Sequence, residues 1–100
     1  MTNTRKPLFT LGQVCGTPGA LEQLANAQVA PSDLLDKHVH GDFGELCEED
    51  VEANEQALKD GSRILSSYRL STGQKVWIIT EAADDHGQRA ATTLLLPEEY

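Results

Sequence analysis

The sequence predicts an α+β domain, about three helices packed on one face of a small antiparallel β-meander of three strands, with room for a fourth, N-terminal strand. Two observations carry this. Up to about residue 61 the apolar residues recur at helical spacing between helix start and stop signals; after it they alternate or run together as in strands. The last quarter, Val76 to Glu81 and Thr92 to Tyr100, reads as two strands that finish the domain. Helices first and a meander after make α+β rather than a βαβ alternation. One hundred residues make one domain. Residues 1–7 read as a disordered polar lead ending in Pro7, and residues 8–100 as the single domain.

Leu8 to Val14 fits a short strand that Gly12 weakens. Thr17-Pro18-Gly19-Ala20-Leu21-Glu22 is a helix start: Thr17 can cap and Pro18 suits the first helical position. That helix runs to about Asn26, with Leu21 and Leu24 inward. Pro31-Ser32-Asp33 opens a second helix, Leu34 to about Val39, stopped by Gly41, with Leu34, Leu35 and Val39 as its apolar side. The stretch from Gly41 to Leu46 is a loop between two glycines, with Phe43 and Leu46 tucked beneath it. Glu48-Glu49-Asp50 places acids in the first turn of a third helix, where the dipole favours them, and Gly61 caps its end after Asp60. Val51, Asn54 and Leu58 share a face, so Asn54 is an amide on an apolar stripe. It is expected to hydrogen-bond loop backbone near residues 41–46, since a bare buried amide is costly. Arg63 to Leu70 is a strand with Ile64, Ser66, Tyr68 and Leu70 on one side. Ser71 to Gln74 is a hairpin turn, and Lys75 to Thr80, apolar on both faces, is a central strand. After a polar turn from Glu81 to Gln88, Arg89 to Leu96 is the third strand, ended by Pro97.

The net charge of −8 argues against phosphate-neutralising contact with nucleic acid and against an anionic membrane surface. It suits solubility and a basic partner. Apolar runs reach three or four residues, so none spans a bilayer. Cys15 and Cys47 show no paired spacing and no signal peptide precedes them, which points to free thiols in a reducing, cytoplasmic setting.

Few groupings suggest chemistry. His38-x-His40-x-Asp42, with Glu45 and Cys47 nearby, has ligand-type side chains, but i and i+2 on a helix point apart; surface histidines at a helix end are the simpler reading. Asp42-Phe43-Gly44 copies a kinase tripeptide without its Gly-rich or His-Arg-Asp loops, and reads as a tight turn with Phe43 as plug. Cys15 or Cys47 with His38, His40 or His86 has no motif behind it as a nucleophile and base. No cofactor loop is present. The acids Glu45, Glu48, Glu49, Asp50, Glu52 and Glu55 form a dense negative run, either a solvated helix start or a face for a basic groove. Trp77 and Tyr100 are the interface candidates; cross-strand packing is the alternative for Trp77.

The motifs Gly41-Asp42-Phe43-Gly44-Glu45-Leu46, Glu48-Glu49-Asp50, Asn54, Ser67-Tyr68, Trp77 to Glu81 and Thr92 to Tyr100, with Leu11-Gly12-Gln13-Val14 and Thr17 to Leu21, resemble a family of small uncharacterised bacterial proteins. These are often encoded on plasmids and other mobile elements, and some are labelled as associated with type I restriction–modification. The resemblance spans Leu11 to Tyr100. It departs where relatives pass from Thr-Glu straight into Asp-Arg: here Ala82 to Gln88 intervene before Arg89. It implies no activity.

The combined expectation is a non-enzymatic accessory or adaptor domain without cofactor or metal. It would bind a protein with a basic surface through Glu48, Glu49, Glu52 and Glu55, with Trp77 and Tyr100 as further contacts and Asp42 and Asn54 organising the loop beneath. The alternatives are a nucleic-acid mimic that blocks a DNA-handling enzyme, and a small metal-dependent enzyme. A monomer and a strand-paired homodimer both fit.

Overall fold

The computed structural model describes residues 6–100; of the lead expected over 1–7, residues 1–5 lie outside the described residues. The elements are β1 (Gln13–Gly16), α1 (Pro18–Asn26), α2 (Pro31–Val39), α3 (Glu48–Asp60), β2 (Ile64–Arg69), β3 (Lys75–Thr80), β4 (Ala91–Leu95) and a 3-10 turn, Pro97–Glu99. This is the expected α+β class. Strands β2, β3 and β4 form the antiparallel meander, and β3 is central, as its two apolar faces require. The whole sheet is not a pure antiparallel meander, however. Its order is β1-β4-β3-β2, and β1 runs parallel to β4, so the sheet is mixed.

The N-terminal strand also lies later than expected. Residues 8–11 are not strand: the Leu8 amide bonds the Val39 carbonyl, and Phe9 packs edge-on against His38. Gly12 takes φ +65°, and a side chain there would collide with the Arg89 and Ala90 carbonyls. Only beyond that left-handed step does the chain pair with β4.

Helix signals hold their places. Thr17 accepts the Ala20 amide at 3.1 Å and opens α1. The Gly61 amide closes α3 on the Ala57 carbonyl at 2.8 Å. Two inward assignments change. In α1 the buried pair is Ala20 and Leu24, while Leu21 lies over Gly16 at the sheet margin and is 44% exposed. In α2 the buried residues are Leu34, His38 and Val39, with Leu35 only partly covered.

The helices cover one sheet face, made by Ile64, Ser66 and Tyr68 on β2, Val76, Ile78 and Thr80 on β3, and Thr92 and Leu94 on β4. Ala20, Leu24 and Leu34 meet Tyr68, Val76, Ile78 and Leu94 in the main core. Phe43, Ala57 and Ile64 form a second cluster, with Leu46 beside it as the loop reading anticipated.

The far margin of β2 is closed by the chain itself. Ser67 exchanges backbone hydrogen bonds with Phe43 and Glu45, an approach that requires the missing side chain at Gly44. Asn54 does not reach the 41–46 loop. Its amide donates to the Leu65 carbonyl at 2.6 Å and its oxygen accepts the Leu65 amide at 3.0 Å. The side chain thus stands in for a neighbouring strand. Asn54→Ala should lower stability by about 2 kcal/mol, one net hydrogen bond each way, read as a shift in the urea midpoint at unchanged slope.

Candidate partner-binding groove

Three places gather polar or aromatic side chains: a chain of hydroxyls around His38, the Arg89 pocket, and the outer sheet face.

His38 was expected at the surface; it is 0% exposed. The i, i+4 spacing with Leu34 turns it onto the sheet rather than outward. Its Nδ1 lies 2.5 Å from Ser66 Oγ and its Nε2 2.8 Å from Thr80 Oγ1. Thr80 in turn meets Thr92 at 2.8 Å, and Thr92 donates to the Leu11 carbonyl at 2.7 Å. The proton order follows. A carbonyl only accepts, so Thr92 uses its one proton on Leu11. Thr80 must then donate to Thr92 and accept from His38 Nε2–H. That leaves Nδ1 bare, to accept from Ser66. The imidazole is held neutral in its Nε2–H form. Burial, with the Arg89 charge adding to it, lowers the His38 pKa to about 4.

A serine beside a histidine is half of a nucleophilic site. Here Ser66 has no exposed surface, and the second ring nitrogen is held by a hydroxyl rather than oriented by a carboxylate. With both nitrogens occupied, neither is available to a metal alongside His40 and Asp42. Among the described residues, no three His, Cys, Asp or Glu side chains gather as a metal site. The chain of hydroxyls ties α2, all three meander strands and the N-terminal segment together.

Arg89, expected to start a strand, is buried and precedes β4. Its guanidinium donates to the carbonyls of Ser62 at 2.7 Å, Glu81 at 2.9 Å and Ala57 at 3.2 Å, and lies over the Phe9 ring at 5.6 Å. Burial lowers its pKa. The intervening stretch Ala82 to Gln88 is a closed turn. Asp84 accepts the His86 and Gln88 amides, each at 2.9 Å, and Ala83 bridges Arg89.

On the outer sheet face the 3-10 turn, rather than α1 or α2, meets β3. Trp77 stands on that face half-buried, its ring 5.7 Å from that of Tyr100 at 63°. Tyr100 is 65% exposed, with the Arg63 guanidinium over it at 5.6 Å. Thr17 and Glu99 fix this corner: the Thr17 hydroxyl donates to Glu99 at 2.7 Å, and the same carboxylate accepts the Leu96 amide at 2.8 Å. Those bonds, the Thr17 hydroxyl first, hold the Glu99 pKa below its usual value.

Beside Trp77 a groove of about 200 Å³ runs between the start of α3 and the sheet. Glu45 and Asp50 edge one side; Leu65, Lys75 and Trp77 line the other. Glu45 takes Arg69 Nε at 3.2 Å and Lys75 Nζ at 3.7 Å, and the Arg69 hydrogen bond leads in lowering its pKa. Its charge is therefore largely answered within the molecule. The groove thus joins the acidic start of α3 to the aromatic face.

The sequence candidates divide accordingly. Trp77 and Tyr100 are brought together. Glu48, Glu52 and Glu55 share one stripe of α3 at i, i+4, i+7, whereas Asp50, Asn54 and Ala57 share the stripe turned to the sheet, and Glu49 projects between the two. Among the described residues no base forms an ion pair with Glu48, Glu49, Glu52 or Glu55. Asp42 Oδ1 accepts the Gly44 amide at 3.3 Å, and the Asp42 carbonyl accepts the Tyr68 hydroxyl at 2.6 Å. Asp50 is the acid of α3 that meets the groove, which the register of α3 against β2 decides and no local sequence signal marks. No described helix is long and apolar enough to cross a membrane. Set against known proteins, the chain matches no family model, no curated protein and no solved structure.

Proposed function

We propose that this chain is a non-enzymatic binding domain of the cytoplasm that takes a basic segment of a protein partner. The segment lies along the groove between Asp50 and Trp77 and extends onto Glu48, Glu49, Glu52 and Glu55. The observation that carries the reading is the groove itself: a half-buried tryptophan, stacked edge-on with an exposed tyrosine, faces Asp50, which no base pairs within the described residues, while Glu45 beside it is already paired with Arg69 and Lys75. A tryptophan anchor supplies contact area, and the acids supply steering and selectivity for positive charge. Exposed free cysteines fit a reducing compartment. The resemblance to plasmid-borne bacterial proteins implies no activity, so the reading stands on the groove. The nucleic-acid mimic gains little: extents of 38 × 37 × 26 Å describe a disc, not a row of acids along a rod.

The test is affinity capture at low salt with wild-type protein, Trp77→Ala and a Glu48→Gln/Glu49→Gln/Glu52→Gln triple variant. A partner with a basic surface should be recovered by wild type and lost from both variants, about tenfold or more for Trp77→Ala, a hot-spot loss. Raising salt should weaken it, because exposed charges are screened. A partner held equally by all three proteins would overturn the reading.

A further inference from the structure

We infer that β1 is a self-association edge, through which two copies pair antiparallel about a two-fold axis at Cys15 into one eight-stranded sheet. This is a second surface, separate from the groove proposed above.

Three observations carry it. First, among the described residues β1 pairs on one side only, with β4. The Gln13 and Thr17 amides bond the Ala90 and Leu94 carbonyls. Parallel ladders alternate, so the backbone groups of Val14 and Gly16 point outward. The opposite margin, β2, is capped by Asn54 and the Phe43–Glu45 loop, so pairing at β1 closes at two copies instead of growing into a fibre.

Second, of the four large exposed apolar residues among those described, three gather here: Leu8 at 53%, Val14 at 45% and Leu21 at 44%. Leu8, Leu11, Val14 and Val39 line an apolar groove beside the strand.

Third, the charge pattern selects a second copy as the occupant. Residues 7–21 contain no charged side chain, in a chain of net charge −8. Two such chains repel least where this stretch meets itself.

The register follows from the side chains. Gly16 has none, and Leu21 fills its place, 2.9 Å from where a Cβ would stand. Pairing Val14 with the partner's Gly16 sets the exposed Val14 against the partner's Leu21, and the converse holds by symmetry. The two Cys15 residues then face each other at a non-hydrogen-bonded pair, where Cα atoms lie about 4.5 Å apart, within disulfide reach.

Sedimentation equilibrium over a concentration series should show monomer giving way to dimer. Val14→Pro takes away an outward amide and the Val14 side chain at the seam but no bond to β4, so it should keep the native circular dichroism spectrum and abolish the dimer. Under mild oxidation Cys47→Ser should form a covalent dimer through Cys15, and Cys15→Ser should not. Three results would overturn the inference: a wild-type monomer throughout the series, a dimer indifferent to folded Val14→Pro, or a dimer that Cys15 does not link. A monomer whose Val14 and Gly16 amides exchange slowly would overturn it too, by showing that the edge is covered by its own chain. Partner capture through the groove is read independently, because Val14→Pro leaves Trp77 untouched.

Discussion

His38→Ala should lower the unfolding free energy by about 3–5 kcal/mol, the cost of a core cavity together with stranded hydroxyls. Ser66 loses its acceptor and Thr80 its donor, both in a site without exposed surface. Typical domains of this size hold about 5–15 kcal/mol, so this single change would leave a marginal protein, read in urea or thermal unfolding. A loss below about 1 kcal/mol, the scale of one net hydrogen bond, would mean that the hydroxyl chain does not organise the fold. The same residue sets an acid limit. Its folded pKa of about 4 lies below the ordinary imidazole value of 6.5, so the unfolded chain binds the proton more tightly. Its contribution is fully present above the unfolded value and is lost as pH falls from 6.5 towards 4. The full loss approaches about 3 kcal/mol. Glu45, Asp60 and Glu99, also held low, act with the same sign but in the lower, carboxylate window. His38→Gln, neutral at every pH, should remove the loss between pH 6.5 and 4 and leave the carboxylate part, while changes in overall repulsion cancel in the comparison.

Arg89→Met is expected to cost about 2–4 kcal/mol, from the loss of three donated hydrogen bonds, two of them short. Methionine keeps much of the stem packing on Phe9, which isolates the polar part. Because the guanidinium joins the end of α3 to the loops at Ser62 and Glu81, amide exchange should quicken there first. Unchanged exchange at Gly61 and Ala83 would contradict the assignment, since the Ala83 amide bonds the Gly61 carbonyl at this junction.

Local signals made much of this fold legible. Thr17 and Pro18 opened α1, and Gly61 ended α3. The alternation of Ile64, Ser66, Tyr68 and Leu70 gave the inner face, and the two apolar faces of Lys75 to Thr80 gave the central strand. What stayed hidden depends on contacts distant in sequence. Nothing near Gln13 states that it will pair parallel with Ala91. His38 looked like a surface residue because its hydroxyl partners lie 28 and 42 residues away. Arg89 read as a strand residue because carbonyls carry no sequence signature. Asn54 was recognisable as a buried amide in need of partners, but whether a loop or a strand supplied them was decided by how α3 docks. In the groove, Trp77 and the acids were visible separately; their junction through Asp50 was not.

The central claim, that a basic segment docks beside Trp77, is tested most directly by the fluorescence of that residue, the chain's one tryptophan. The captured partner is titrated into the protein, as a tryptophan-free peptide of its basic segment, and acrylamide quenching is followed. Docking at the groove predicts a saturable change in emission, with quenching of Trp77 suppressed in the complex and restored by salt. Saturable binding that leaves the emission and quenching of Trp77 unchanged would contradict it.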